Sequence, residues 1–116
     1  MPIKNQFTNL SVQTGFLVWI RDVPVPEGHA LKVQGLLRCP TETRTPDYIP
    51  FCVHGKKSRR LLGLPTEQDR DGNPNPEGGM LLTIQGKLSS SPEGAFVVVD
   101  EVCELDDAEP EPEVTT

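Results

Sequence analysis

Long apolar runs are missing from this chain of 116 residues. Nothing approaches the roughly 18 consecutive apolar residues that a membrane-crossing helix requires, so no membrane partner is expected. The N-terminus, Met1-Pro-Ile-Lys-Asn-Gln-Phe7, lacks the charged-then-apolar order of an export signal. A cytoplasmic chain is the expectation. Metal-ligating residues are few. Cys39, Cys52 and Cys103 contain no Cys-x-x-Cys pair, and the histidines are His29 and His54. A tetrahedral zinc site wants closely spaced ligand pairs. No metal and no cofactor are therefore expected, and the cysteines read as small apolar residues.

Catalytic patterns are incomplete as well. Gly55-Lys-Lys-Ser58 lacks the upstream glycine of a phosphate-binding loop, with Pro50 in its place. Asp69-x-Asp71-x-Asn73 lacks the sharp-turn glycine and closing glutamate of a calcium loop, where Pro74 and Met80 stand. No nucleophile elbow is present. The carboxylates fall in loops and at the C-terminal end, away from any polar cluster, which argues against an enzyme.

Basic residues are absent from the last 17 positions, where eight acidic residues lie. The net charge of −6 thus hides a segregation. Up to residue 99, eleven Lys and Arg face nine Asp and Glu, a surplus of two. Such asymmetry suggests a basic working surface and an acidic interaction tail.

The length suits one domain with a modest core. Five segments read as strands. Thr14 to Pro24 is apolar on both faces; its β-branched and aromatic content decides for strand over helix. In His29 to Cys39, Leu31, Val33, Gly35, Leu37 and Cys39 share one face, with Lys32, Gln34, Leu36 and Arg38 on the other. In Tyr48 to His54, Ile49, Phe51 and Val53 oppose Tyr48, Cys52 and His54, and Pro50 implies an edge or bulge. Lys56 to Leu64 suits a short helix with Leu61, Leu62 and Leu64 as its apolar side. Pro65 to Gly79 reads as a long polar loop, functional or mobile. Met80 to Leu88 and Ala95 to Cys103 form a hairpin across Ser89 to Gly94. From Asp106 the alternation of Glu and Pro predicts a disordered tail.

The expected fold is all-β: a five-stranded barrel over residues 1–105, with at most one short helix between strands three and four, then a disordered acidic tail over 106–116. A β-sandwich is the alternative. Gly15, Gly35 and Gly86 mark points where strongly curved strands could bend.

Lys56, Lys57, Arg59 and Arg60 make a basic run just past the third strand, suited to neutralising phosphates; a solvated helix start is the plainer reading. Lys32, Arg38 and Lys87 would extend it into a cationic track, although surface strands also carry lysine for solubility. Aromatic residues make up only 5% of the chain. Trp19, on one face with Arg21, and Tyr48 are the candidates for stacking on unpaired bases, with core packing as the competing reading. Phe51 and Phe96 read as core.

The stretch Tyr48-Ile-Pro-Phe-Cys-Val-His-Gly-Lys56 resembles the third strand of bacterial single-stranded DNA-binding proteins. There a ring residue opens a strand that ends in an apolar–Gly–Lys step before a short helix. Leu82-Thr-Ile-Gln-Gly-Lys-Leu88 is similar to their fourth strand, Ala95 to Val102 to their closing strand, and the acidic tail to their partner-recruiting tail. The resemblance spans about residues 10 to 105 plus the tail. It implies an OB-fold, sequence-tolerant binding of single-stranded DNA (with RNA as the alternative) in replication, recombination or conjugative transfer, and a homo-oligomer. It also implies a divergent member of the kind carried by mobile elements. Asp106, Asp107, Glu109, Glu111 and Glu113 would form the partner-binding tail. Two departures stand out: the tail ends Glu113-Val-Thr-Thr116 without the family's hydrophobic tip, and only Tyr48 sits at a matching ring position. A protein–protein module built on an OB-like barrel is the rival reading.

Overall fold

The computed structural model describes residues 9–42 and 44–105, apart from the side chains of Lys57 and Leu105. Five strands form a closed barrel: β1 (Ser11–Val23), β2 (Lys32–Cys39), β3 (Asp47–His54), β4 (Leu81–Ser91) and β5 (Gly94–Leu105). Around the barrel the order is β1-β2-β3-β5-β4. Together with a 3-10 helix over Lys56–Gly63, between β3 and β4, this is the expected OB-fold. Among the described residues no helix is long and apolar enough to cross a membrane.

Closure depends on β1 serving two neighbours. Its first half, Ser11 to Phe16, pairs with β4, and its second half, Phe16 to Val23, pairs with β2. A bulge between Leu17 and Trp19 lets the strand turn from one to the other. On the far side the seam is short. The parallel β3–β5 ladder holds only Phe51↔Val97 and Cys52↔Val98. The stretch of β3 before Phe51 is therefore unpaired on that side, which is where Pro50 is tolerated.

Inward positions carry the core: Leu17, Leu37, Phe51, Val53, Leu82, Ile84, Val97 and Val99, with Leu61 from the 3-10 helix. That helix starts at Gly55, whose φ of 94° suits glycine. The buried Ser58 hydroxyl donates to Gly55 O at 2.6 Å, and Ser58 N donates to the same oxygen at 3.0 Å. The helix thus delivers Leu61, 3% exposed, into the core while Lys56, Arg59 and Arg60 stay outside. Gly35 makes room for Phe51: a Cβ there would meet Phe51 Cε2 at 2.7 Å and Ile20 Cδ1 at 3.1 Å. Gly86 stands at the bulge in β4, against Val98 O.

Three expectations change. β2 begins at Lys32, because His29 closes a turn by donating its N–H to Pro26 O. The β4–β5 loop shrinks to Pro92 and Glu93, since Ser89, Ser90 and Ser91 continue the ladder to Phe96, Ala95 and Gly94. Backbone pairing does not need apolar side chains, so polar residues hid the extra strand length. The polar segment from Pro65 to Gly79 is strapped down rather than structureless. Glu67 N and Gln68 N donate to Leu17 O and Val18 O, freed by the bulge, and Met80 N donates to Pro65 O. Inside the segment, Asn75 Nδ2 donates to Thr66 O and Gly78 O, and Asp69 Oδ1 accepts from Asp71 N and Asn73 N.

Candidate nucleic-acid interface

Register assigns the outward face of β1–β2–β3. With Leu17, Val33, Gly35, Leu37 and Phe51 facing in, the cross-strand partners between them face out. They form four rows: Phe16–Arg38–Tyr48, Trp19–Leu36–Pro50, Arg21–Gln34–Cys52 and Val23–Lys32–His54. The third row continues past the seam through Val98 to Lys87. Beside the second and third rows the β4–β5 hairpin raises a wall. A groove of about 330 Å³ lies between them, lined among others by Trp19, Lys32, Gln34, Pro50, Cys52 and Phe96.

Two rings on this face, Trp19 and Phe16, are paired with cations. Arg21 Cζ lies 4.1 Å from the centre of the Trp19 ring, and Arg38 Cζ lies 5.0 Å from that of Phe16. Such contacts are worth about 0.5–1 kcal/mol when exposed, and they hold ring and cation together. Trp19 is half-buried, while Tyr48 is 54% exposed. Tyr48 therefore stands clear of the core, and Trp19 presents part of its ring to the groove.

The basic residues differ in what already holds them. Arg38 makes a bidentate pair with Glu67: Nε donates at 3.1 and 2.9 Å to the two oxygens, and Nη2 donates to Oε2 at 2.7 Å. These bonds raise the Arg38 guanidinium above its ordinary range. Arg59 reaches Asp22 through one 3.3 Å contact, and both side chains are about half exposed. Arg60 pairs with Glu104 at 2.7 Å, on β5. Exposed pairs of this kind contribute about 0–1 kcal/mol, so an incoming phosphate can replace their carboxylates.

The sequence-predicted residues thus divide into groups. Arg21, Lys32 and the exposed Lys56 gather toward the end of the face where the third strand meets the 3-10 helix, and Arg59 is held there by Asp22 at the end of β1. Arg38 and Tyr48 occupy the opposite end. Arg60 turns away, beside a second cavity of about 430 Å³ whose lining includes Asp100, Glu101 and Glu104. Lys87 is exposed on β4. Among the described residues these cations fall into separate groups rather than the single continuous track that the sequence suggested. The Lys57 side chain and the tail residues Asp106, Asp107, Glu109, Glu111 and Glu113 lie outside the described residues.

Gln34 and Cys52 lie on the face to which the alternation assigned them, whereas Phe16 and Phe96 belong to it and were not anticipated there. Phe16 and Trp19 share a side only because the bulge shifts the register between them, and the run Phe16-Leu17-Val18-Trp19-Ile20 is apolar throughout, so no pattern reveals it. Cys52 points outward yet is 3% exposed, and burial pushes its thiol up, with Lys32 opposing.

Among the described residues no group of three or more His, Cys, Asp or Glu is arranged to hold a metal ion. No protein-family model matches the chain, and no curated protein sequence does. Solved structures do match. A single-stranded DNA binding protein from Thermus aquaticus superposes with a TM-score of 0.66 at 16% identity, over 90% of this chain and 45% of that one. The SSB domain of a Synechococcus sp. protein gives 0.58 at 13% identity, over 83% and 94%. The N-terminal domain of PriB from Thermoanaerobacter tencongensis, described as dimeric, gives 0.57 at 17%, over 84% and 97%. At these identities the likeness is one of fold: the barrel described above is similar to the barrels of SSB and PriB domains.

Proposed function

We propose that this chain binds single-stranded nucleic acid, DNA in the first instance, without reading its sequence and without catalysing a reaction. One observation carries the reading. The outward face of β1–β2–β3 holds Phe16, Trp19 and Tyr48 among cations and opens into a groove walled by the β4–β5 hairpin. Rings on a rigid sheet stack on any base, and a cationic margin follows the backbone. Trp19, with Arg21 over its ring, and Tyr48 are the stacking positions. Lys32, Lys56, Lys57 and Arg59 are the phosphate contacts, with Arg60 and Lys87 at the margins. The fold shared with single-stranded DNA-binding proteins supports the same reading.

Finer expectations belong here too. The work would lie in replication, recombination or conjugative transfer, in the cytoplasm, with the acidic tail recruiting a protein partner. Exposed Leu10, Val12 and Leu88 offer an apolar surface for self-association, in keeping with the dimeric PriB domain.

The test is binding of labelled oligo-dT followed by anisotropy across salt. Single strands lose affinity with a slope of about −0.7 per phosphate engaged, so three to five contacts predict a roughly 20- to 130-fold loss between about 50 and 200 mM salt. Duplex DNA should bind more weakly. Oligo-U binding as well as oligo-dT would widen the ligand to RNA. No binding at about 50 mM salt, or a flat salt response, would end the proposal.

A further inference from the structure

Arg38 faces outward in the row Phe16–Arg38–Tyr48, yet it is not available as the other surface cations are. We propose that Glu67 is a positioning residue that withdraws Arg38 from phosphate binding and holds its guanidinium over the Phe16 ring, so that this row receives an unpaired nucleobase by stacking. The inference rests on the single-strand-binding reading and assigns a distinct task to one end of that face.

The geometry differs from that of the Arg59–Asp22 pair in number and in support. Three hydrogen bonds of 2.7–3.1 Å engage two of the three guanidinium nitrogens. The side chains of Arg38 and Glu67 are 31% and 22% exposed, against 51% and 52% for Arg59 and Asp22. Glu67 is fixed from behind. Its N–H donates to Leu17 O at 2.9 Å, its carbonyl accepts from Asn75 N at 2.7 Å, and Asn75 in turn ties Thr66 to Gly78. Leu17 O is available to Glu67 because of the bulge in β1. The carboxylate is therefore held in place before any ligand arrives. A phosphate competing for Arg38 meets a preorganised bidentate acceptor, the strong kind of guanidinium partner. A phosphate approaching Arg59 meets one 3.3 Å contact.

What the clamp leaves in place is a group of planar side chains. Arg38 Cζ lies over the Phe16 ring at 5.0 Å, and the cross-strand neighbour Tyr48 is 54% exposed beside them. Delocalised planar groups of this kind take a base of any identity. With its charge matched by Glu67, the row contributes contact area without releasing counterions. It thus adds affinity that does not weaken with salt.

The experiment compares oligo-dT affinity across salt for the full chain, Glu67→Gln and Arg38→Gln, each checked for an unchanged circular dichroism spectrum and melting curve. Glu67→Gln keeps the shape and the backbone bonds of the strap but frees the guanidinium. Its salt slope should steepen by about 0.7, the value of one added phosphate. Arg38→Gln should lose affinity about fivefold or more while keeping the wild-type slope, because a stacking contact is removed and no phosphate contact is lost. A slope that flattens by about 0.7 in Arg38→Gln would show that Arg38 leaves Glu67 for phosphate, and would overturn the inference. So would an unchanged slope in Glu67→Gln, or an unchanged affinity in Arg38→Gln. The Arg38→Gln result decides alone if Glu67→Gln does not fold. Wild-type binding with either contrary result removes this inference only; absence of wild-type binding removes the single-strand reading and this inference with it.

Discussion

Replacing Gly35 by alanine tests the packing on which the whole face is built. Gly35 lies inward on β2, opposite Ile20 on β1 and Phe51 on β3. An added Cβ would stand 2.7 Å from Phe51 Cε2 and 3.1 Å from Ile20 Cδ1. Ordinary contact begins near 3.4 Å, so the ring has to retreat by most of an ångström or more. Phe51 is 2% exposed and sits within the core cluster of Leu17, Leu37, Leu82 and Val97, so it has nowhere to go without moving its neighbours. Overpacking of this kind costs about 1–3 kcal/mol. For a domain of this size each kcal/mol lowers Tm by roughly 4–8 °C. Strand propensity alone has the opposite sign: Gly to Ala in a strand interior stabilises by roughly 0.5–1 kcal/mol. The sign therefore decides. A urea or thermal denaturation series should show Gly35→Ala destabilised, and in a Phe51→Leu background the added cost should fall by more than the roughly 0.5 kcal/mol expected of independent sites. A Gly35→Ala protein as stable as the parent, or more so, would refute the reasoning.

Other outcomes follow from particular residues. Thiol labelling of the native chain should modify exposed Cys103 first, with buried Cys52 protected and Cys39 slow, because burial raises both the Cys52 and the Cys39 thiols; equal rates for all three would contradict the fold. The Asp69 carboxylate is held below its ordinary range by backbone N–H donors, Asn73 first. A group lowered on folding adds stability that is present above its unfolded value, about 3.9, and lost as pH falls through the folded one. Amide protection of the strap from Thr66 to Asn75 should therefore persist at pH above about 4 and decline below it, and Asp69→Asn should abolish that dependence. Charge reversal of Arg59 should flatten the salt slope of oligo-dT binding by about 0.7 or more; an unchanged slope would remove it from the phosphate contacts.

Much of the barrel was legible because strands with one buried side alternate. The β2 residues Val33, Gly35 and Leu37 turned in, and Lys32, Gln34 and Arg38 out, as the period of two requires. The helix was legible from Leu61, Leu62 and Leu64 as its apolar side. Two kinds of feature escaped. The bulge in β1 shifts register within five apolar residues, so nothing in their order marks Phe16 as outward. The strap over β1 is made by backbone donors and Asn and Asp side chains, which in sequence look like any polar loop. From it comes Glu67, the residue that changes what Arg38 can do. Ion pairs between residues 37 and 44 positions apart, Arg59–Asp22 and Arg60–Glu104, likewise leave no local signal.

Trp19 is the single tryptophan of the chain and lines the groove beside Lys32 and Cys52, so its fluorescence reports on the proposed interface directly. Titration with oligo-dT at low salt should quench it and shift its emission, and Trp19→Ala should weaken binding roughly 5- to 150-fold, the equivalent of about 1–3 kcal/mol for one stacked base. Tight oligo-dT binding with unaltered tryptophan emission and an unaffected Trp19→Ala variant would mean that nucleotides bind elsewhere on the molecule.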